Sequence, residues 1–306
     1  MRKILGPVLL GLGGFLLVIG VLALVWAPGV VKKTPIDVDQ ETHLDGTVRK
    51  LDPATGELVE NPVKIQSISR TDSKASDDDY AVWFSTACVV IDIDNAPDCV
   101  DGDDSRLVSA TTDTFATDRV TALASDKAPG LPADAGHHDG LMNKWPFDSE
   151  KKDYPYWDGT VGAAQQAVFD RVATLKGVEC YVYKVTTTDV PIEIGEGIDG
   201  TYDNTTEIWV EPKTGAIQEQ KQDQQRYLTD GTQVLDLKVG FTDKQLQTFA
   251  DDSKSNIQML NLLLVWVPIF GFVAGALSIL AGALLILGSR RRSNGSHADD
   301  KELVRS

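Results

Sequence analysis

The sequence predicts a mainly β domain, an antiparallel curved or barrel-like sheet, set between two transmembrane α-helices. Three observations carry this reading. Residues 4–30 and 257–288 contain no Asp, Glu, Lys or Arg, and each run exceeds the roughly 20 apolar residues a helix needs to cross a hydrocarbon core. Between them, short runs rich in Val, Ile, Thr and Tyr alternate with polar residues and are broken by Gly, Pro, Asn and Asp clusters, the signature of strands. From residue 242 the apolar spacing becomes helical.

The chain divides accordingly. Residues 1–3 form a cytoplasmic start and 4–30 the first transmembrane helix. Residues 31–241 form an extracytoplasmic β-rich domain, 242–256 a helical stalk, 257–288 the second transmembrane helix and 289–306 a disordered cytoplasmic tail. Arg2 and Lys3 precede the first span and Arg290, Arg291 and Arg292 follow the second. Lys and Arg collect on cytoplasmic flanks, so both termini are expected inside the plasma membrane and the central domain outside. A cleaved signal peptide is the rival reading of the first run. That run outlasts the usual apolar region of roughly 7–15 residues, and Pro28 would directly follow a cut after Ala27. A retained anchor is therefore expected.

Small residues recur in both spans. Gly6, Gly13, Gly20 and Ala27 repeat every seven positions, and Gly271, Gly275, Ser278 and Gly282 step by four, three and four. Such stripes let helix backbones approach closely in lipid, so the spans are expected to pack on each other or on copies. Pro268 lies inside the second span, where a kink is expected. Neither span carries an ionisable residue, which argues against a proton relay or ion path built by these helices alone.

Of the 45 acids three follow the second span, and of the 29 bases seven lie outside the middle, so the middle holds 42 acids against 22 bases, a net −20. Such a surface repels nucleic acid and anionic headgroups. All three cysteines fall in this domain, where disulfides persist. Cys88 and Cys99 flank a ten-residue segment that a hairpin closes, and are read as the pair. Cys180 is then a buried free thiol.

Strands are expected near 34–48, 63–69, 80–93, 168–175, 178–185, 206–210, 217–227 and 233–241. Residues 51–60 (LDPATGELVE) and 210–219 (VEPKTGAIQE) share one pattern, in which Pro sets the start of a turn and Gly accepts positive φ near its end. Both are read as hairpin tips. Thr242 with Gln245 has the form of a capping box.

No catalytic constellation is read: the chain has no nucleophile motif, no phosphate loop, no dinucleotide fingerprint and no cofactor signature, and an enzyme is not expected. The acids after Cys88 fail the calcium-loop pattern, because Ala96 and Pro97 stand where a ligand and glycine belong. His137, His138 and Asp139 lack an evident third ligand and are read as a polar loop, so no metal site is assigned. Asn204-Thr205-Thr206 is a formal glycosylation acceptor. Residues 144–158 (KWPFDSEKKDYPYWD) gather Trp145, Phe147, Tyr154, Tyr156 and Trp157. These rings either cap the core of the sheet or form a ligand platform.

This arrangement, with KWPF…YPYWD and the WVEPKTGAI tip at 209–217, resembles the actinobacterial PorA-like porins over nearly the whole chain. The resemblance implies an actinobacterial envelope protein with channel-forming capacity and transfers no site residue. A barrel porin crosses with strands of about 9–11 residues, whereas this chain has two helical spans, so a pore requires an oligomer. The layout is also similar to CD36-type two-span receptors, which suggests a hydrophobic tunnel. The leading reading is therefore an anchored protein whose β domain binds or transfers a hydrophobic ligand such as an envelope lipid. A channel-forming homo-oligomer and a structural or protein-interaction module of the envelope are the alternatives.

Overall fold

The structure, a computed structural model, describes the backbone of residues 2–302 and the side chains of residues 4–288. The flanking Arg2, Lys3 and Arg290–Arg292 side chains and His297 lie outside the latter range. The described residues form two compact units, a helical one from residues 2–32 and 256–302 and a β one from residues 33–255.

In the helical unit, α1 (Arg2–Val25) and the short α2 (Ala27–Val31) lead out of the N-terminus. A π-helical turn at Leu262–Trp266 precedes α4 (Val267–Glu302), which runs on into the segment expected to be a disordered tail. The π turn sits directly before Pro268, where the missing N–H and the ring disturb the regular ladder. α1 and α4 pack antiparallel along their glycines. A Cβ on Gly13 would lie 2.6 Å from Cγ1 of Ile279 and 2.7 Å from the Gly275 carbonyl oxygen. One on Gly6 would meet Ile286 and Gly282; Gly20 faces Pro268 and Phe272, and Gly271 reaches back to Leu16 and Gly20. The glycines are buried and Ser278 is half-buried, while Leu12, Phe15, Val18, Leu277, Leu280 and Leu284 point outward and are exposed. Contact along the stripe thus comes from backbone approach, with the large apolar side chains left for the surroundings.

The β unit is one ten-stranded antiparallel sheet, strongly curved. Its strands are β1 (Asp39–Leu51), β2 (Leu58–Thr71), β3 (Tyr80–Ile91), β4 (Leu107–Asp118), β5 (Tyr154–Asp158), β6 (Ala163–Leu175), β7 (Val178–Gly195), β8 (Ile198–Glu211), β9 (Ala216–Leu228) and β10 (Gln233–Phe241). The order is β4-β3-β2-β1-β10-β9-β8-β7-β6-β5. Every neighbour follows in sequence except at the centre, where β1 pairs β10 from Leu44↔Phe241 to Lys50↔Leu235. One end of the sheet carries the turns at 52–57, 92–106, 159–162, 196–197 and 229–232. The other carries the turns at 72–79, 176–177 and 212–215, and the long segment 119–153.

β4 and β5 are absent from the sequence expectation, for a physical reason. Both are edge strands. β4 (LVSATTDTFATD) is exposed from Ser109 to Thr112 and lacks an apolar alternation there. β5 contains Pro155, which ordinarily argues against a strand but is tolerated on an edge. Residues 34–38 precede β1 instead of belonging to it.

α3 (Asp243–Asn261) follows β10. Only half of the expected capping box forms. Gln245 N donates to Thr242 Oγ1 at 3.2 Å, but the Gln245 side chain accepts from His43 N of β1 at 3.2 Å. Phe249 packs edge-on against Phe241 at 5.5 Å, and Ala250 joins Val178 and Cys180 on the outer face of the sheet.

The two similar turns have different surroundings. Gly56 and Gly215 both sit at φ +74°. A Cβ on Gly56 would meet nothing, whereas one on Gly215 would run into the Trp145 carbonyl.

Two outcomes follow. With spin labels at the exposed Leu12 and Leu280 positions, Gly13→Leu or Gly275→Leu will lengthen and broaden the measured distance; an unchanged distribution rejects the close glycine contact. In denaturation of the full-length protein, Gly56→Ala will cost about 1 kcal/mol, the price of a left-handed non-glycine residue. Gly215→Ala will cost clearly more, and equal costs reject the docking at that turn.

Candidate functional site

Side chains alternate across each strand, so the register assigns the two faces. Val48, Val63, Ile65, Val89, Leu237 and Val239 form one buried cluster, and Tyr183, Val185, Ile208 and Val210 belong to another. Both lie on the inner face of the curved sheet, opposite the face that meets α3.

The segment 119–153 passes between the sheet edges. Ser125 N donates to the Ala116 oxygen of β4 at 2.9 Å, Ala124 N to Gly140 at 2.8 Å, and Leu141 N and Trp157 N link the segment to β5 at 2.8 Å each. Backbone bridges Thr117↔Ala124, Leu123↔Leu141 and Leu141↔Tyr156 complete the seam. Ala128 and Leu131 cover Val82 and Ala116 on the outer face. His138 then inserts into the seam, 5.7 Å from the Phe115 ring of β4 and 4.8 Å from Trp157 of β5, with Nε2 2.9 Å from Asp113 Oδ2. His137 stays exposed and pairs with Asp126, whose carboxylate raises its pKa. Among the described residues no group of three or more metal-binding side chains gathers, at this site or elsewhere.

Past the seam, Trp145 is fully buried, stacked between Tyr156 at 5.4 Å and Tyr183 at 5.2 Å, with Tyr154 at its edge. Burying an aromatic of this size contributes roughly 4–6 kcal/mol at about 25 cal/mol per Å². Its backbone is held by the β8–β9 turn: Trp145 N donates to Gly215 at 2.8 Å and Ser149 N to Pro212 at 2.8 Å. Of the two readings of the five rings, Trp145 and Tyr154 therefore belong to the core, and Tyr156 is half-buried beside them. Phe147 and Trp157 are half-buried as well, so no exposed row of rings forms. Two open clefts of about 370 and 310 Å³ lie beside the segment and are lined partly by Asp113, Asp126, Asp134 and Pro132. They are not the apolar tunnel that an acyl chain needs.

The inner face of β8 and β9 is polar instead. Gln220, Gln222, Gln224 and Arg226 take successive inward positions on β9, opposite Ile208, Thr206, Asn204 and Tyr202 of β8. With its amide oxygen turned to the donors, Gln224 accepts from Arg226 Nε at 2.8 Å and Nη2 at 2.9 Å. Asn204 Nδ2 donates to Thr206 Oγ1 at 3.0 Å and Tyr202 Oη to Asp158 Oδ2 at 3.3 Å. Burial lowers the Arg226 pKa and raises that of Tyr202, and pushes Tyr156 up to about 12. Asn204 is 5% exposed, so the formal glycosylation acceptor is closed to modification in the folded chain. These inward residues escape the sequence reading, although QKQDQQR at 220–226 carries the signal: a strand with no apolar residue on either face.

Cys88 and Cys99 form a disulfide with Cα atoms 5.6 Å apart. Lys64 neutralises part of the acidic loop it closes, 3.3 Å from Asp92 and 3.6 Å from Asp98, and bonds the Ala96 carbonyl. Arg106 holds Asp104 down to about 2. Cys180 is free and buried, and burial pushes its thiol up to about 12.

Lys144, half-buried with its ammonium 4.1 Å over the Phe147 ring, has its pKa pushed down to about 8 by burial. Between about 8 and its ordinary 10.5 the unfolded chain binds more protons at this group than the folded one, so its contribution to stability rises with pH across that window. Lys144→Met will remove that rise. Denaturation midpoints measured from pH 8 to 10 test it, and parallel curves for the two proteins reject it.

No curated protein matches the chain significantly. A family model described as Porin PorA matches residues 5–284. That match and the two helices long and apolar enough to cross a bilayer associate the chain with a membrane. With nearly its whole length covered, from α1 to the end of the second apolar run, the chain belongs to the PorA porin family.

Proposed function

We propose that this chain is an envelope porin in which helix pairs anchor and assemble the protein while the inner face of the β domain contacts polar solutes. The observation that carries this reading is the run Gln220, Gln222, Gln224 and Arg226 turned into the sheet. A lipid carrier gains by lining its interior with apolar side chains, since burying a polar group without a partner is costly. A solute path gains by the reverse. The lipid-binding reading drew its sequence support from the rings of 144–158, two of which serve as core.

The spans carry no ionisable side chain, so one helix pair offers no aqueous route. Conduction on this reading requires several copies. The domain lies outside the membrane and both termini inside, in keeping with a disulfide that oxidising compartments preserve and with the arginine-rich flank.

Planar-bilayer recording of the purified full-length protein, with cross-linking in parallel, tests the proposal. Stepwise conductance and a defined oligomer are expected. A protein that forms neither, and instead retains a lipid at fixed stoichiometry in native mass spectrometry, is a lipid binder. One that shows none of these and co-purifies with envelope proteins is an interaction module.

A further inference from the structure

We propose that the helical unit meets the bilayer surface at the level of Trp26 and Trp266, where the two indole rings lie in the lipid headgroup zone and fix the height of the helix pair. This rests on membrane association alone and is independent of whether the chain conducts.

Both rings are turned outward, 65% and 63% exposed. The close contacts of Gly6 with Gly282, Gly13 with Gly275 and Gly20 with Pro268 set the antiparallel register of α1 against α4. Continued by six residues beyond Gly20, that register brings Trp26 and Trp266 to within about one helical turn of the same height. An indole has an apolar body and a single N–H donor, and tryptophan collects where hydrocarbon gives way to headgroups. Between that level and the far end of the pair the large outward side chains are purely apolar, among them Leu12, Phe15, Val18, Leu277 and Leu280.

The far end supplies the scale. Ile4 to Trp26 is a run of 23 uncharged residues, and Trp266 to Gly288 is again 23. At 1.5 Å per residue each is about 34 Å long, and a tilt near 20° brings this to about 32 Å, close to the roughly 30 Å of hydrocarbon. Lys3 stands just outside one run and Arg290, after Ser289, just outside the other. The full apolar runs at 4–30 and 257–288 reach about 40 Å or more, the thickness of a bilayer with its headgroups included.

The backbone points to the same level. α1 ends at Val25 and α2 starts at Ala27, so the regular ladder is interrupted at Trp26, and the π turn at Leu262–Trp266 ends on the other tryptophan. Hydrocarbon demands that every backbone group be satisfied within the helix, whereas irregular turns are tolerated where water reaches. α2 and the π turn thus form a short apolar collar outside the hydrocarbon, leading to Lys32 and Lys33 on one chain and to Asn261 on the other.

Fluorescence of the full-length protein in phosphatidylcholine vesicles, with bromine quenchers near the top or near the end of the acyl chains, tests the level. The difference between the native chain and Trp26→Phe, or Trp266→Phe, isolates each ring. Each difference signal should be quenched at least twofold more by the shallow label than by the deep one. Equal or stronger quenching by the deep label puts the ring in the hydrocarbon interior, and no quenching by either puts it outside the bilayer; both overturn the proposal. A second reading does without tryptophan, using positions that are exposed on the helix pair. Val30→Cys and Val265→Cys should react with a membrane-impermeant maleimide in these vesicles at least tenfold faster than Val18→Cys and Val273→Cys. Equal rates overturn the collar and, with it, the level.

Discussion

The pairing of β1 with β10 is the contact on which the rest of the domain depends. Two meanders, β1 to β4 and β5 to β10, would otherwise be separate sheets with four edges. Joining Leu44 to Phe241 and Val48 to Leu237 fuses them into one, and leaves only β4 and β5 to be managed. The pairing closes a loop of nearly the whole domain. Because closure entropy grows only slowly with length, seven register pairs and the cluster around Val48 offset it. The same contact brings the entering and leaving chain to one end of the sheet.

The two remaining edges are a hazard, since unpaired strand edges invite other strands. The segment 119–153 answers this at the inner end of β4 and at β5 by threading the gap, first over the outer face, then through the seam at His138, then into the core at Trp145. Its energetics are split between faces: alanines and Leu131 outside, an aromatic stack inside, and backbone bonds between. That division explains why a 35-residue connection with no strand or helix of its own is ordered.

The helices were legible because uninterrupted apolar runs have few other uses, and most strands because β-branched alternation is a direct consequence of a half-buried pleat. β4 and β5 were not, because an edge strand is selected for what it avoids more than for what it packs. The rings of 144–158 showed that something there buries aromatic surface, but not whether the partner was the chain itself. The inner polar run was hidden for a related reason. Apolar periodicity reports cores, and QKQDQQR has none, so only the register to Tyr202 and Asn204 reveals which of its residues face inward. His138 depends on a contact between elements separated by the seam, which no local pattern records.

The position of the three cysteines has a consequence for how the chain matures. Cys88 and Cys99 are eleven residues apart in sequence, one near the end of β3 and the other in the β3–β4 loop, whereas Cys180 comes some eighty residues later. Synthesis runs from the N-terminus, and early segments begin to fold first. The correct partners therefore emerge together before the third thiol, which favours their pairing over either alternative. Once β7 joins the sheet and α3 covers it, a thiol pushed up to about 12 is a poor nucleophile for exchange. Chain order and burial thus both favour the native pair and set the odd cysteine apart from it.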